Sequence, residues 1–214
     1  MKHLIIRNLG PLTEADLNLS KVNIIVGPQS SGKSCVLKSA CYCAWVEKRI
    51  ELTQQANYFT KDDHFINEFI RFHKLQGYIR DNTYIEYESD YMYFSYNHQN
   101  KKFQFNWKDG RWNFKRSKVT YIPAERNMVA AIPNWFEVRL ADDNIRSFMS
   151  DWETARKATI TNLDILNLGV TYHYDSSQAN GDIVSVGNGV NLAITNTSSG
   201  LQSLIPLFVH LNYL

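Results

Sequence analysis

The sequence predicts an α/β fold: a short buried strand, a glycine-containing loop and a helix at its centre, with an antiparallel β lobe and a helical lobe beside them. Three observations carry this. Residues 22–26 (Val-Asn-Ile-Ile-Val) are a nearly continuous β-branched run ending at a glycine, and a helical pattern follows the loop. Residues 78–114 are aromatic and alternating, with turn signals between the runs. Residues 135–168 and the stretch after Ser198 carry helical patterns.

In chain order, residues 3–7 read as a strand broken by Gly10-Pro11. Residues 14–19 alternate polar and apolar, so the two runs form a hairpin. After the loop, residues 34–54 read as a helix whose stripe is Val36, Leu37, Ala40, Cys43, Ala44 and Glu47. Phe65, Phe69, Phe72 and Leu75 recur at three or four and predict a second helix over 62–76. Three or four antiparallel strands are expected in 78–114, turning at 97–100 and at Lys108-Asp109-Gly110. Residues 119–122 read as a further strand, ended by Pro123. The 135–168 stretch is mainly helical, with Asp142-Asp143-Asn144 as a start and Gly169 as a stop. Strands follow at 170–174 and 182–195, around turns at Asn180-Gly181 and Gly187-Asn188-Gly189. From Ser198, small residues give way to Leu201, Leu204, Ile205, Leu207, Phe208 and Leu211, the first turns of a buried helix.

The composition is that of an ordinary globular protein able to bury a core: 214 residues, 44% hydrophobic and 21% charged. A net charge of +2 selects no anionic partner by itself. Cys35, Cys41 and Cys43 are odd in number and bunched, which is neither a disulfide framework nor a zinc ligand set. They read as small hydrophobes on one helix, and a reducing cytoplasm is the expected compartment. No run of about 18 apolar residues occurs, so no membrane span is expected. The six histidines are scattered without ligand spacing.

Gly27-Pro28-Gln29-Ser30-Ser31-Gly32-Lys33-Ser34 matches G-x-x-x-x-G-K-[ST], the phosphate loop. Each fixed type has a chemical reason. The glycines let the backbone curl so that successive N–H groups point at phosphate oxygens. The N-terminus of the following helix adds its partial positive charge. Lys33 places a full charge on the β- and γ-phosphates, and the Ser34 hydroxyl ligates Mg²⁺. The expected ligands are therefore ATP and Mg²⁺, held by Gly27, Pro28, Gln29, Ser30, Ser31, Gly32, Lys33, Ser34 and Cys35, with Ser34 on the metal. At average residue usage the pattern arises by chance in roughly one chain in a hundred of this length.

Around this loop the residues resemble the RecF/SMC/OLD-type ABC ATPases. The opening Ile5-Ile6-Arg7-Asn8-Leu9-Gly10-Pro11-Leu12, leading to Asn23-Ile24-Ile25-Val26-Gly27, is similar to the hairpin with an I-x-N-F-G-P segment that begins those proteins, with Leu9 in place of Phe. Ser198-Ser199-Gly200-Leu201-Gln202 resembles the signature L-S-G-G-Q, matching at Ser199, Gly200 and Gln202. In that family the signature of one subunit touches the γ-phosphate held by the other. Thr120-Tyr121-Ile122-Pro123-Ala124-Glu125-Arg126 resembles the segment carrying the Q-loop, and most of all the Y-I-P-A-E-R of compact OLD-like AAA ATPases. Ala124 aligns with the usual Gln. Glu125 either substitutes for it as a catalytic group or belongs to a solvated Glu-Arg pair. With no sustained heptads, the chain resembles the short-lobed OLD, Septu and retron defence ATPases rather than the long-armed ones.

The resemblance implies an ABC-ATPase-like head: a P-loop lobe over 1–125 with an antiparallel β insertion at about 78–118, then a helical lobe with a β-hairpin and the signature-like segment over 126–214. It implies ATP-dependent homodimerisation through a nucleotide sandwich, coupled to a nucleic-acid-processing or phage-defence effector, possible partners being a nuclease and nucleic acid, and no membrane. A Walker B strand, four apolar residues and then Asp-Glu, is not found. The expectation is a chain incomplete at its C-terminus, able to bind nucleotide and poor at hydrolysis. The alternative is a non-hydrolysing ATP-binding scaffold subunit. A P-loop kinase is a third class, against which the Ser199 segment argues. The 78–114 block also has two readings: its aromatics pack one sheet face with lysines at the edges, or they stack on single-stranded bases between basic residues.

Overall fold

Strand β1 (Lys2–Leu9) and strand β2 (Leu12–Leu19) form the expected hairpin, closed by Gly10 and Pro11. Gly10 sits at φ +55°, and a Cβ there would lie 2.4 Å from the Tyr78 ring, so the turn needs glycine twice over. The computed structural model describes residues 2–115, 117–132, 137–178 and 181–214. The chain divides into two compact units, Met1–Val119 and Thr120–Leu214.

In the first unit, helix α1 (Lys33–Thr53) follows the phosphate loop, then α2 (Asn57–Thr60) and α3 (His64–His73). Strands β3 (Ile79–Glu88), β4 (Met92–Asn97) and β5 (Lys102–Trp107) complete a five-stranded antiparallel sheet of order β2-β1-β3-β4-β5. Strand β1 thus pairs on both sides, with the hairpin partner β2 and with β3. The helices cover one face. α1 buries Cys35, Val36, Ser39, Tyr42, Cys43, Val46, Glu47 and Ile50, spaced three or four apart. Phe59, Phe65 and Phe69 of α2 and α3 join Tyr87, Phe94, Tyr96 and Phe103 of the sheet in one core. Each such ring buried contributes roughly 1.5–3 kcal/mol. Phe65 packs within 5.1–6.3 Å of five other rings, so Phe65→Ala would open the centre of this core.

Glu47 is the odd member of the α1 stripe. Its carboxylate is buried and accepts from Lys2 Nζ at 2.8 Å and from the Tyr87 hydroxyl at 3.0 Å, joining α1 to β1 and β3. His73 is also buried, beside Tyr42, Phe69 and Phe72, and burial pushes its imidazole pKa down to about 3. Cys35 and Cys43 are buried and Cys41 is half-buried; burial pushes the Cys41 thiol up to about 12, as expected of packing groups. Among the described residues no group of three or more His, Cys, Asp or Glu could hold a metal ion, and no helix is long and apolar enough to cross a membrane.

Two expected strands do not form. Residues 22–26 run from β2 to the loop without a ladder partner among the described residues, and Val22, Ile24 and Val26 are 75–84% exposed. A β-branched run announces a wish to be covered; it becomes a strand only where a neighbour supplies the hydrogen bonds. Residues 119–122 are likewise unladdered. Thr120 spends its hydroxyl on Asp151 at 2.9 Å, and Pro123 offers no N–H. Of the three or four strands expected in 78–114, three form, and Asp109–Asn113 is a 3-10 turn.

The second unit opens with a 3-10 turn at Ala124–Asn127 and helix α4 (Met128–Ala131). Helix α5 (Asn144–Ala158) starts where expected. Asp143 is its N-cap, accepting from the amides of Ile145 and Arg146. The expected start at 135 lies outside the described residues. The helix stops at Ala158 instead of running to 168, because Thr159-Ile160-Thr161 is a β-branched run of poor helix propensity. Left-handed Leu166 and Asn167 then reverse the chain. Strands β6 (Leu163–Asp164), β7 (Thr171–Tyr174), β8 (Asp182–Val186) and β9 (Val190–Ala193) form an antiparallel sheet in that order. Of the turns expected here, the one at Gly187-Asn188-Gly189 is present, and the Asn180 half of the other lies outside the described residues. Helix α6 (Ser199–Tyr213) packs Ile205 and Val209 against Phe148, Met149 and Trp152 of α5. Buried Asp182 accepts from the Tyr172 hydroxyl at 2.6 Å and from Arg156 Nη1 at 2.7 Å, which offsets the cost of burying its charge.

Candidate nucleotide-binding site

The phosphate loop owes its shape to its two glycines. Gly32 is left-handed, at φ +94°, and a Cβ there would lie 2.6 Å from Leu12 Cδ2 and 3.3 Å from Pro11 Cγ. The hairpin turn therefore backs directly onto the loop and leaves no room for a side chain. At Gly27 a Cβ would stand 3.2 Å from Ser31 Oγ, tight enough to press the loop open. Between them Ser30 is left-handed at φ +62°, and the Ser31 amide donates to the Pro28 carbonyl.

The loop ends on the N-terminus of α1. Gly32 occupies the cap position and supplies no side-chain acceptor, and no acidic residue stands in the first turn. The amides of the first turn, including those of Lys33, Ser34 and Cys35, thus keep their donors for a ligand, aligned with the positive end of a 21-residue helix. Lys33 Nζ donates to the carbonyls of Gly27 at 2.8 Å and Pro28 at 2.5 Å, so its ammonium folds back across the loop toward its first residues. The Ser34 hydroxyl is exposed beside these donors. Pro28, Gln29 and Ser30 are exposed along the same loop. Unspent first-turn amides, one cation and one hydroxyl fit the phosphates of a nucleotide and a magnesium ion. Ser34 would be one ligand of the ion, with phosphate oxygens and waters supplying the rest. Cys35 contributes its backbone only; its thiol is buried and burial pushes its pKa up.

The remaining expected site residues lie in the second unit. Glu125 is exposed in the Ala124–Asn127 turn. Ser198 caps α6, its hydroxyl accepting from the Leu201 amide. Ser199 and Gly200 are exposed in the first turn, and a Cβ at Gly200 would meet only Ser198 Oγ at 3.9 Å. Gln202 is turned onto its own approach loop, donating to the carbonyls of Thr195 and Thr197 at 3.0 and 3.1 Å. Arg126 Nε donates to the Ser203 carbonyl at 2.9 Å, so the Glu125 turn and the α6 helix are tied within the unit. Two groups escaped the sequence reading: Pro11-Leu12 as the wall behind Gly32, and Arg126 as this tie. Both lie inside the segments that carry the family resemblance, which was the signal available for them.

Comparison with curated proteins and with solved structures gives no match. A family model described as an AAA domain matches residues 3–179, more than three quarters of the chain. The match, the G-x-x-x-x-G-K-S loop and its uncapped helix agree: this chain belongs to the AAA-domain family of P-loop ATPases, in its SMC/RecF-like branch.

Proposed function

We propose that this chain is the nucleotide-binding head of an ABC-type ATPase of the compact OLD-like kind, which dimerises on Mg-ATP and passes that closure to a nucleic-acid-processing or defence effector. The observation that carries this reading is the Gly27–Ser34 loop seated on the uncapped start of α1, where glycine geometry, free amides and Lys33 converge. Lys33 moves from the loop carbonyls to the β- and γ-phosphates, while the amides of residues 32–35 hold the β-phosphate. Ser34 would hold Mg²⁺ on the protein side, and the ion would supply neutralisation of the phosphate charge. The exposed Ser199 hydroxyl and Gly200 amide of a second copy close on the γ-phosphate. Glu125 orients the attacking water, linked to the α6 start through Arg126.

The test is solution mass by light scattering, with and without Mg²⁺ and a non-hydrolysable ATP analogue. The wild-type chain is expected to double its mass with nucleotide. Lys33→Ala stays monomeric at nucleotide concentrations that saturate the wild type because it binds more weakly, and Ser199→Arg stays monomeric although it binds. A mass that never changes while nucleotide still binds would refute the sandwich and leave the phosphate loop in place.

A further inference from the structure

Residues 101–118 carry seven Lys and Arg against one Asp, a net +6 in a chain whose total is +2, so the other 196 residues sum to −4. A charge balance so uneven makes this stretch the part of the sequence most favourable to a polyanion. Within this stretch the structure builds a stack. The Arg111 guanidinium lies 4.0 Å from the ring centre of Trp107 and 4.4 Å from that of Trp112. Trp107 is anchored in turn, packing edge-on against Phe105 at 4.9 Å at the margin of the core. Arg111 Nη2 donates to Gln54 Oε1 at 2.7 Å, which fixes the guanidinium plane. Trp112 ends the stack at 81% exposure. An indole that packing does not need, held beside a cation and followed three residues later by exposed Lys115, has the chemistry of a base-stacking platform.

We propose that this edge of the first unit, the C-terminal end of β5 with the 3-10 turn after it, binds single-stranded nucleic acid: Trp112 stacks a base, and the neighbouring Arg111 and Lys115 meet the phosphates. Lys101 and Lys108 are already engaged, with Asp63 and Glu88, so Lys115, three residues from Trp112, carries the backbone contact. The surface is separate from the phosphate loop. Gln54 is the C-cap of α1, so the platform stands at the opposite end of that helix, roughly 30 Å away along 21 residues. Binding here therefore does not depend on Lys33.

The test uses the 214-residue chain and fluorescein-labelled oligo(dT) and oligo(U) of about 15 nucleotides, read by anisotropy and by tryptophan quenching. Single strands are expected to bind and quench. Trp112→Ala weakens them about 5- to 150-fold, the range for loss of one stacked base. Trp112→Phe keeps most of the affinity. Lys115→Gln flattens the log–log salt dependence by about 0.7. Lys33→Ala binds strands as the wild type does, which separates this claim from the nucleotide site. The relative affinity for dT and U decides between DNA and RNA as the natural strand. Wild-type affinity in Trp112→Ala, tighter binding of a blunt duplex, displacement by polyglutamate at equal charge, or no binding at low salt would each overturn the proposal.

Discussion

Two helix starts in this chain read alike in sequence as anion sites, and the structure builds them differently. At α1 the cap is a left-handed glycine pressed against Leu12 and Pro11, no side chain competes for the first amides, and a lysine arches back over the loop. At α6 the chain caps itself. Ser198 takes the Leu201 amide, Gln202 braces the approach loop, and the glycine at position 200 has space around it. A cradle that holds a nucleotide alone must leave its donors unspent and its backbone strained into place. A surface with the role proposed for the α6 start, completing another subunit's site, can satisfy its own ends and still present a hydroxyl and an amide outward. The same residue types, glycine and serine before an apolar helix, thus serve opposite needs.

The sharpest way to break this contrast is to add one methyl group at each start. Gly32→Ala meets both a left-handed φ and a contact of 2.6 Å with Leu12. It is expected to cost roughly 1–3 kcal/mol of stability and to weaken nucleotide binding more than tenfold, read by thermal unfolding and by titration of a fluorescent ATP analogue. Wild-type affinity in that variant would show that the loop does not need its glycine. Ser198→Ala removes the α6 cap and should destabilise by about 0.5–1 kcal/mol, a drop in Tm of a few degrees, with single-chain nucleotide affinity unchanged. If that affinity falls instead, the two starts are not independent. Gly200→Ala is the smallest change. With open space and a helical position, it should be neutral or raise stability by up to about 1 kcal/mol. A clear loss of stability would mean that the backbone there is held as tightly as at Gly32.

Much of this was legible in the sequence because the relevant signals are local. The phosphate loop is a contiguous motif whose spacing is its chemistry. The β1–β2 hairpin, α1, α3, the start of α5 and α6 follow from periodicity and punctuation at Gly10-Pro11, Asp143 and Ser198. The failures share a cause. Residues 22–26 and 119–122 have strand composition, but a strand needs a partner and composition cannot name one. Gly169 is the stop the sequence offers for α5, but the β-branched Thr159-Ile160-Thr161 ends the helix first. Long-range fits were invisible altogether. Nothing in a linear reading says that Leu12 walls in Gly32, that Glu47 on an apolar stripe is met by Lys2 and Tyr87, or that Arg126 reaches Ser203. The aromatic block shows both outcomes. Its alternate rings pack the sheet, as Phe94 and Phe103 do, while Trp112 stands out of it on Arg111.

The central claim, that the Gly27–Ser34 loop is a working nucleotide cradle, is tested most directly by titrating a fluorescent ATP analogue with Mg²⁺ into the wild-type chain and into Lys33→Ala. Lys33 is expected to supply a charge-assisted contact to the phosphates, so the variant should bind roughly ten- to a hundredfold more weakly at unchanged thermal stability. Equal affinity in the two proteins, or no binding by either, would contradict it.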